Sequence, residues 1–187
     1  MMRIITGSAR GTHLYTLEGD ATRPTSERAK EALFSMLQDA VRNARVLDLF
    51  AGSGQLGLEA LSRGAAHAVF VDGAKKAVEI VRRNAERTHL QDKARIVSAD
   101  ALAFLRGCRE QPFDLVFLDP PYASDLLEQV LTKVEPLVND GGIIVCETNE
   151  STKLPMRLGR FYLAKSSRFG QAYIRIYRYN NGEEDAE

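Results

Sequence analysis

Four aspartates could do chemistry in this chain, because each lies in a short apolar segment or directly after one: Asp48, Asp72, Asp100 and Asp119. The last of them opens the stretch Asp-Pro-Pro-Tyr at positions 119–122. A carboxylate and a proline carbonyl can accept both hydrogens of an exocyclic amine and hold its nitrogen towards a methyl donor. Two prolines keep such a loop in one shape, and Tyr122 could stack on a base swung out of its helix. This stretch therefore predicts a binding site for an amine group.

A glycine-rich turn supplies the second chemical signal. Residues 46–57 read VLDLFAGSGQLG, an apolar run that breaks at Gly52 and Gly54 and continues as a helical pattern. A strand, a glycine turn and a helix in this order are typical of a nucleotide-binding unit. Asp72 lies about 20 residues beyond the first glycine, where an acid can bind ribose hydroxyls. Taken alone, the turn fits a nicotinamide dehydrogenase as well as a methyltransferase.

Hydrophobic periodicity predicts five β/α repeats followed by two sequential strands joined around Gly170. Strands joined by a short loop must be antiparallel, so the fold class is a doubly wound, mostly parallel α/β sheet of seven strands with an antiparallel C-terminal edge hairpin. Ligands of such sheets bind outside the carboxyl ends of the strands, where three of the four aspartates fall. The predicted strands are 46–50, 68–72, 94–98, 113–118, 142–147, 160–166 and 173–179.

The N-terminal region predicts an extension in front of this sheet. Residues 3–18 resemble two short strands around a turn at 7–11, and an amphipathic helix follows with Thr25 or Ser26 as its cap. The corner at 23–26 combines a guanidinium, two hydroxyls and free helix N–H groups, which suits a carboxylate or phosphate ligand.

Composition limits the class of protein. The 187 residues carry 25 basic and 25 acidic side chains, a formal net charge of zero, which argues against coating nucleic acid by bulk charge but allows a local basic patch. The length predicts one domain. No apolar run approaches the roughly 18 residues of a membrane span, and the start lacks a signal-peptide pattern. Cys108 and Cys146 fit no metal spacing and are expected to be free thiols in a reducing compartment, so we expect a cytoplasmic protein. A monomer without membrane association is the default expectation.

Three other functions compete for the aspartates. A metal site is disfavoured because the acids leave four different strands, so no metal is expected. A nicotinamide dehydrogenase explains the glycines but not residues 119–122, and His13, His67 and His89 all fall outside the strand-end loops. A module that only binds RNA would not need the aspartates at the sheet edge. A methyltransferase that uses S-adenosylmethionine accounts for both signals.

The motifs resemble a known family in order and spacing. VLDLFAGSGQLGLEAL, FVD, SAD and LDPPY are similar to motifs I to IV of class I S-adenosylmethionine-dependent methyltransferases of the amino-methylating type. RIITGSARGTHL and RPTSERAKEALFSML near the N-terminus, with FGQAYIRIYRY near the end, resemble the RsmD family of 16S rRNA guanine-N2 methyltransferases. The resemblance covers nearly the whole chain.

The resemblance implies S-adenosylmethionine as the cofactor and 16S rRNA, free or in the small ribosomal subunit, as the partner. An adenine-N6 or cytosine-N4 nucleic-acid methyltransferase is the alternative. The implied cofactor residues are Asp48, Phe50, Ala51, Gly52, Ser53 and Gly54 for the methionine part, Asp72 for the ribose, Asp100 and Ala101 for the adenine, and Thr25 and Ser26 near the carboxylate. The implied catalytic residues are Asp119, Pro120, Pro121 and Tyr122. The implied RNA-facing patch is Arg3, Arg10, Arg23, Arg28 and Lys30.

The same resemblance divides the chain into three parts. Residues 1–20 are expected to form the RNA-facing hairpin extension, residues 21–179 the methyltransferase domain, and residues 180–187 a disordered acidic tail.

Overall fold

A single eight-stranded sheet organises the computed structural model, which describes residues 2–17, 27–120 and 124–180. Its strand order is β3-β2-β1-β4-β5-β8-β7-β6. The first five strands run parallel and the last three antiparallel. The strands are β1 Arg45–Leu49, β2 His67–Asp72, β3 Ala94–Ser98, β4 Phe113–Leu118, β5 Val138–Thr148, β6 Arg157–Leu158, β7 Phe161–Phe169 and β8 Ala172–Tyr179.

Five α-helices of the described residues connect these strands and cover the sheet. They are α1 Glu27–Leu37, α2 Gln55–Ser62, α3 Lys75–Arg87, α4 Ala101–Gly107 and α5 Ser124–Val134. Short 3-10 turns lie at Gln38–Val41, Gln91–Lys93 and Glu135–Leu137. No helix in the described ranges is both long and apolar enough to cross a membrane.

Alternation along the central strand divides the core into two layers. Val46 faces one layer, formed with α1, α2 and α3, whereas Leu47 and Leu49 face the other, formed with α4 and α5. Both faces of the parallel strands are therefore buried, which explains why these strands read as continuous apolar runs. Asp48 falls on the same side as Val46, towards α2.

The predicted architecture is confirmed: a mostly parallel α/β sheet with an antiparallel C-terminal edge. The strand count differs, because the two-residue β6 pairs with β7 and adds an eighth strand to the predicted seven. Two residues carry too little periodicity to be recognised in a sequence. β5 also begins at Val138 rather than at 142, because its pairing with β4 shifts register between Phe113 and Leu115.

The N-terminal segment forms the predicted hairpin, but without two regular strands. In residues 2–17 the chain turns back on itself but forms only one isolated bridge, between Arg3 and His13. The N–H groups of Ile4 and Leu14 donate across the turn to the carbonyls of Thr12 and Met2, at 3.0 and 2.9 Å. Other donors bind α2: the N–H groups of Ile5 and Thr6 donate to the Glu59 carboxylate, at 2.8 and 3.0 Å. Ile4 and Leu14 are buried in the core layer of α1, α2 and α3. The segment is thus a short irregular hairpin whose turn is anchored to the helical layer.

Candidate active site

The carboxyl ends of the parallel strands meet at one edge of the sheet. Leu49 of β1 pairs with Val71 of β2 on one side and with Leu118 of β4 on the other. The glycine loop therefore begins between Asp72 and Asp119, which follow those two partners in the chain. Asp72 itself pairs with Ser98 of β3, so the loop that carries Asp100 begins at the same level. The structure brings the predicted strand-end aspartates to one edge.

The glycine loop leaves β1 through a tightly held turn. Phe50 has a left-handed backbone with φ 71°, followed by Gly52 at 56° and Gly54 at 77°. The Phe50 and Ala51 N–H groups both donate to the Val71 carbonyl at 3.0 Å, and the Gly54 N–H donates to the Ala51 carbonyl at 2.7 Å. A left-handed phenylalanine costs on the order of 1 kcal/mol, which these bonds must offset. The loop is thus held in one shape.

Asp72 fastens that loop to the end of β2. One carboxylate oxygen accepts the Gly52 N–H at 2.9 Å, and the other accepts the Ala74 N–H at 2.8 Å. An ionised carboxylate can accept about four hydrogen bonds, so each oxygen keeps capacity for a further donor. The half-buried side chain therefore fixes the loop and keeps capacity to accept further hydrogen bonds.

Asp48 lies beneath the loop, with only 4% of its surface exposed. Its Oδ2 accepts the Gly57 N–H of α2 at 2.9 Å. Burial raises the pKa of this carboxyl to about 7; the nearby Asp72 charge adds to the rise and the Gly57 N–H opposes it. Asp48 therefore ties β1 to α2. Because its pKa lies at about 7, the carboxyl gains or loses its proton near neutral pH.

The remaining described site residues fall at the ends of β3 and β4. Asp100 caps α4, since its Oδ1 accepts the Ala103 N–H at 2.9 Å, and Ala101 is buried beside it. Asp119 is half-buried and Pro120 is buried, directly after β4. The predicted positions Thr25, Ser26, Arg23, Pro121 and Tyr122 lie outside the described residues.

The predicted RNA-facing patch needs one correction. Arg10 and Arg28 are exposed, and the half-exposed Arg3 makes a two-pronged ion pair with Glu27. Lys30, however, is only 1% exposed, and its ammonium group lies 3.4 Å from Glu59 and donates to the Arg3 carbonyl at 2.7 Å. Burial lowers the pKa of Lys30 and the Glu59 carboxylate opposes this. Its assignment to an RNA-contacting surface is wrong, because its charge is engaged in the interior.

Two functional anchors escape a reading of the sequence alone. Asn84 of α3 is fully buried; its side-chain amide donates to the Ser53 carbonyl in the glycine loop at 2.8 Å and to the Tyr15 carbonyl at 2.9 Å. Glu59 of α2, also fully buried, binds the N-terminal segment. In the sequence, each of these residues is a polar residue within the apolar stripe of its helix. The apolar periodicity predicts the helix but does not show that this polar residue binds another segment.

The edge presents open space and hydrogen-bonding groups that fit a bound S-adenosylmethionine. A side chain added at Gly52 would meet no atom within 4 Å, so the backbone there borders open space. Asp72 flanks that space with spare acceptor capacity, and Gly54 begins α2 without a side-chain cap. Within the described ranges, no cluster of three or more histidine, cysteine or acidic side chains could hold a metal ion.

Comparison with known proteins gives consistent matches over almost the full length. The family model described as Conserved hypothetical protein 95 matches residues 2–178. The chain is 38% identical to a Bacillus subtilis protein provisionally named rRNA methyltransferase YlbH, over 95% of this chain and 98% of that one. It is 35% identical to Ribosomal RNA small subunit methyltransferase D of Escherichia coli, over 100% of this chain and 94% of that one.

A solved structure matches the fold equally well. The Escherichia coli protein yhhF, provisionally described as a methyltransferase, superposes with a TM-score of 0.84 and 34% identity. The superposition covers 96% of this chain and 98% of that chain. Similarity of this extent shows that the two proteins share their fold over nearly the whole chain.

Proposed function

The chain belongs to the family described as Conserved hypothetical protein 95, and from this premise we propose that it is an S-adenosylmethionine-dependent methyltransferase of small-subunit ribosomal RNA. The expected resemblance to the RsmD family is confirmed by that match and by the relative named methyltransferase D. The proposed acceptor is the exocyclic N2 amine of a guanine. One observation carries the proposal: the loop that begins with Asp119 leaves the sheet beside the glycine loop, on the opposite side from Asp72.

The cofactor supplies an electrophilic methyl group on a sulfonium. The amine nitrogen would take this methyl group as the S–CH₃ bond breaks, the neutral thioether S-adenosylhomocysteine would leave, and the amine would release one proton to water. The N2 amine of guanine is a weak nucleophile, because its lone pair is delocalised into the ring. We propose that the Asp119 carboxylate and the Pro120 carbonyl accept the two amine hydrogens and so favour a pyramidal nitrogen. This is catalysis by positioning and by charge stabilisation in the transition state.

The remaining predicted residues keep their proposed roles. The loop at 50–54 holds the methionine part of the cofactor, Asp72 the ribose hydroxyls, and Asp100 with Ala101 the adenine. The two acceptor bonds that Asp72 already makes to the backbone support its role, because they fix the direction of its remaining lone pairs. Pro121 and Tyr122 are proposed to hold the guanine ring, and Thr25 with Ser26 to approach the cofactor carboxylate.

Methyl transfer to ribosomal subunits tests this function. Recombinant protein and labelled S-adenosylmethionine are incubated with small subunits from a strain that lacks the modification, and the digested RNA is analysed by nucleoside mass spectrometry. We expect N2-methylguanosine as the product. N6-methyladenosine or N4-methylcytidine would indicate the alternative base, and transfer only to DNA or to small amines would contradict an RNA substrate. Calorimetry should show binding of S-adenosylmethionine and not of NADH.

Variants at Asp119 test the mechanism. Removing the acceptor in Asp119→Ala should lower turnover by about 10²–10³-fold while cofactor affinity is largely retained. Asp119→Asn keeps one acceptor oxygen and should recover part of the rate. An amide cannot serve as a base, so this recovery would show that Asp119 is not required to take a proton. The matched control is Asp92→Ala, an exposed aspartate in the turn before β3, at the opposite edge of the sheet. Wild-type turnover in Asp119→Ala would remove this residue from the mechanism.

A further inference from the structure

The outer face of α3 carries a strongly basic surface that the site described above does not use. Five of its exposed side chains are basic and two, Glu79 and Glu86, are acidic, in a chain whose formal net charge is zero. Helical spacing places Lys76, Arg83 and Arg87 along one stripe, interrupted only by the half-buried Ile80. The acidic pair falls beside that stripe.

Tyr15 of the N-terminal segment organises two of these guanidinium groups. The Arg83 guanidinium carbon lies 4.1 Å from the centroid of the Tyr15 ring, and that of Arg87 lies 5.0 Å away. Arg87 also donates to the Tyr15 hydroxyl at 2.9 Å, and the two arginines lower the pKa of this phenol. The ring is 38% exposed, one of the two large apolar side chains with such exposure among the described residues. An exposed aromatic ring with arginines fixed upon it is the chemistry that single-stranded RNA recognition uses.

The same surface is physically connected to the cofactor loop. The Tyr15 N–H donates to Asn84 Oδ1 at 2.8 Å, and Asn84 in turn donates to the carbonyls of Tyr15 and Ser53. Arg10 and His13 are exposed on the same N-terminal segment. The basic surface is therefore continuous along the chain with the proposed RNA-facing patch.

We propose that Tyr15, Lys76, Arg83 and Arg87 form a docking surface for the phosphate backbone of ribosomal RNA outside the target nucleotide. This inference rests on the proposed function, of which it names a second substrate-contacting surface. Positive charge concentrated on one helix explains how a chain without net charge can hold a polyanion. The surface contributes affinity and orientation, whereas the residues at the sheet edge do the chemistry.

Salt-dependent RNA binding tests the surface. Dissociation constants are measured by fluorescence anisotropy for a labelled 16S rRNA transcript between 50 and 300 mM KCl. For Arg83→Gln/Arg87→Gln we expect affinity about tenfold weaker and a plot of log Kd against log salt that is shallower by roughly 1.5, for two lost phosphate contacts. Arg83→Lys/Arg87→Lys keeps both charges and should retain the wild-type slope.

The matched control is Arg106→Gln/Arg109→Gln, which removes two exposed arginines at and after the end of α4, on the opposite face of the sheet. Its slope should equal that of the wild type. Equal slopes for the α3 and α4 variants would overturn the proposed surface. If instead the wild type binds this RNA but yields no methylated guanosine on small subunits, the proposed function fails while the docking surface stands. Unchanged affinity for S-adenosylmethionine in every variant verifies that the cofactor site is intact.

Discussion

At the scale of single residues, Gly57 sets how closely α2 can approach the central strands. A side chain added there would lie 2.3 Å from Phe70 Cε1 and 2.8 Å from its Cζ. Phe70 is itself buried, with 1% of its surface exposed, so its ring cannot move aside into solvent. The close approach also allows the Gly57 N–H to reach Asp48. Gly57 is thus required by packing, although in the sequence it is simply the last residue of the glycine-rich stretch 46–57.

Replacing Gly57 with alanine should therefore destabilise the protein. The forced separation of α2 from Phe70 should cost about 1–3 kcal/mol in the free energy of unfolding, measured by urea denaturation. The control is Gly107→Ala at the end of α4, where an added methyl group meets nothing within 4 Å and should not destabilise the protein. Equal stability of the two variants would contradict the steric account.

The buried Asp48 makes stability depend on pH. Its pKa is raised from 3.8 to about 7 in the folded protein, so the folded state holds this proton more tightly than the unfolded chain. The stability that the protonated carboxyl contributes is complete below pH 4 and is lost as the pH rises to about 7, a change on the order of 4 kcal/mol. Asp48→Asn cannot ionise, so this part of the pH dependence should vanish in that variant.

Urea denaturation at intervals from pH 4 to pH 8 measures this effect. The stability difference between Asp48→Asn and the wild type should move in favour of the variant as the pH rises through this range. A difference that stays constant with pH would mean that Asp48 titrates at its ordinary pKa.

Local spacing predicted that aspartates lie at the carboxyl ends of the strands, but it did not predict the surroundings of Lys30. The strand-end aspartates were recognisable because each follows a short apolar run, which is local information. Lys30 lies on a helix whose neighbours in sequence do not reveal a partner; its burial depends on Glu59, which comes from another helix. The apolar periodicity along one helix carries no information about an ion pair with a residue of another helix.

At the scale of elements, the N-terminal segment depends on a buried ionic cluster at Glu59. This carboxylate accepts the Ile5 and Thr6 N–H groups, lies 3.4 Å from the Lys30 ammonium and accepts from Arg63 Nε at 2.8 Å. A segment without regular strands thereby satisfies its backbone donors. The hairpin is less regular than predicted for the same reason: alternating sequence patterns show that a segment is extended, but not that a side chain accepts some of its hydrogen bonds.

Removing the negative charge of Glu59 should weaken the attachment of the N-terminal segment to α2. Glu59→Gln leaves the Lys30 charge buried without its partner, and we expect a loss of about 3 kcal/mol in unfolding free energy. The double variant Lys30→Met/Glu59→Gln removes both charges and should be less destabilised than the sum of the single variants. Hydrogen exchange at Ile5 and Thr6 should accelerate in Glu59→Gln. Glu79→Gln, an exposed carboxylate on α3, serves as the control and should change neither measurement.

At the scale of the whole molecule, one sheet places the glycine loop and the loop that begins with Asp119 at the same edge. The β/α alternation was sufficient to predict this, because parallel strands joined by helices expose all their carboxyl ends on one side. The strand order and the edge strand β6 were not predictable in this way, since they depend on pairings between distant segments. The site could therefore be placed at an edge from sequence, but the contacts that hold its loop, such as Asn84 to Ser53, could not.

The reactivity of the Cys146 thiol reports whether that sheet is intact. It lies within β5, paired with Leu118 of β4 on one side and with Arg175 of β8 on the other, and its side chain is fully buried. Burial raises the pKa of its thiol from 9.0 to about 12, so at pH 8 only about 10⁻⁴ of it is thiolate. The half-buried Cys108, just after α4, is the accessible thiol of the pair.

Native protein treated with iodoacetamide at pH 8 should therefore take up one label, at Cys108. Cys146 should react only when the parallel and antiparallel parts of the sheet separate, because access and ionisation are both restored on unfolding. The Cys108→Ser variant should remain unlabelled when native and gain one label in urea, at the same midpoint as the loss of secondary structure. Labelling of Cys146 well below that midpoint would show that β5 and β8 part before the rest of the sheet, and the sheet would then not unfold as one cooperative unit.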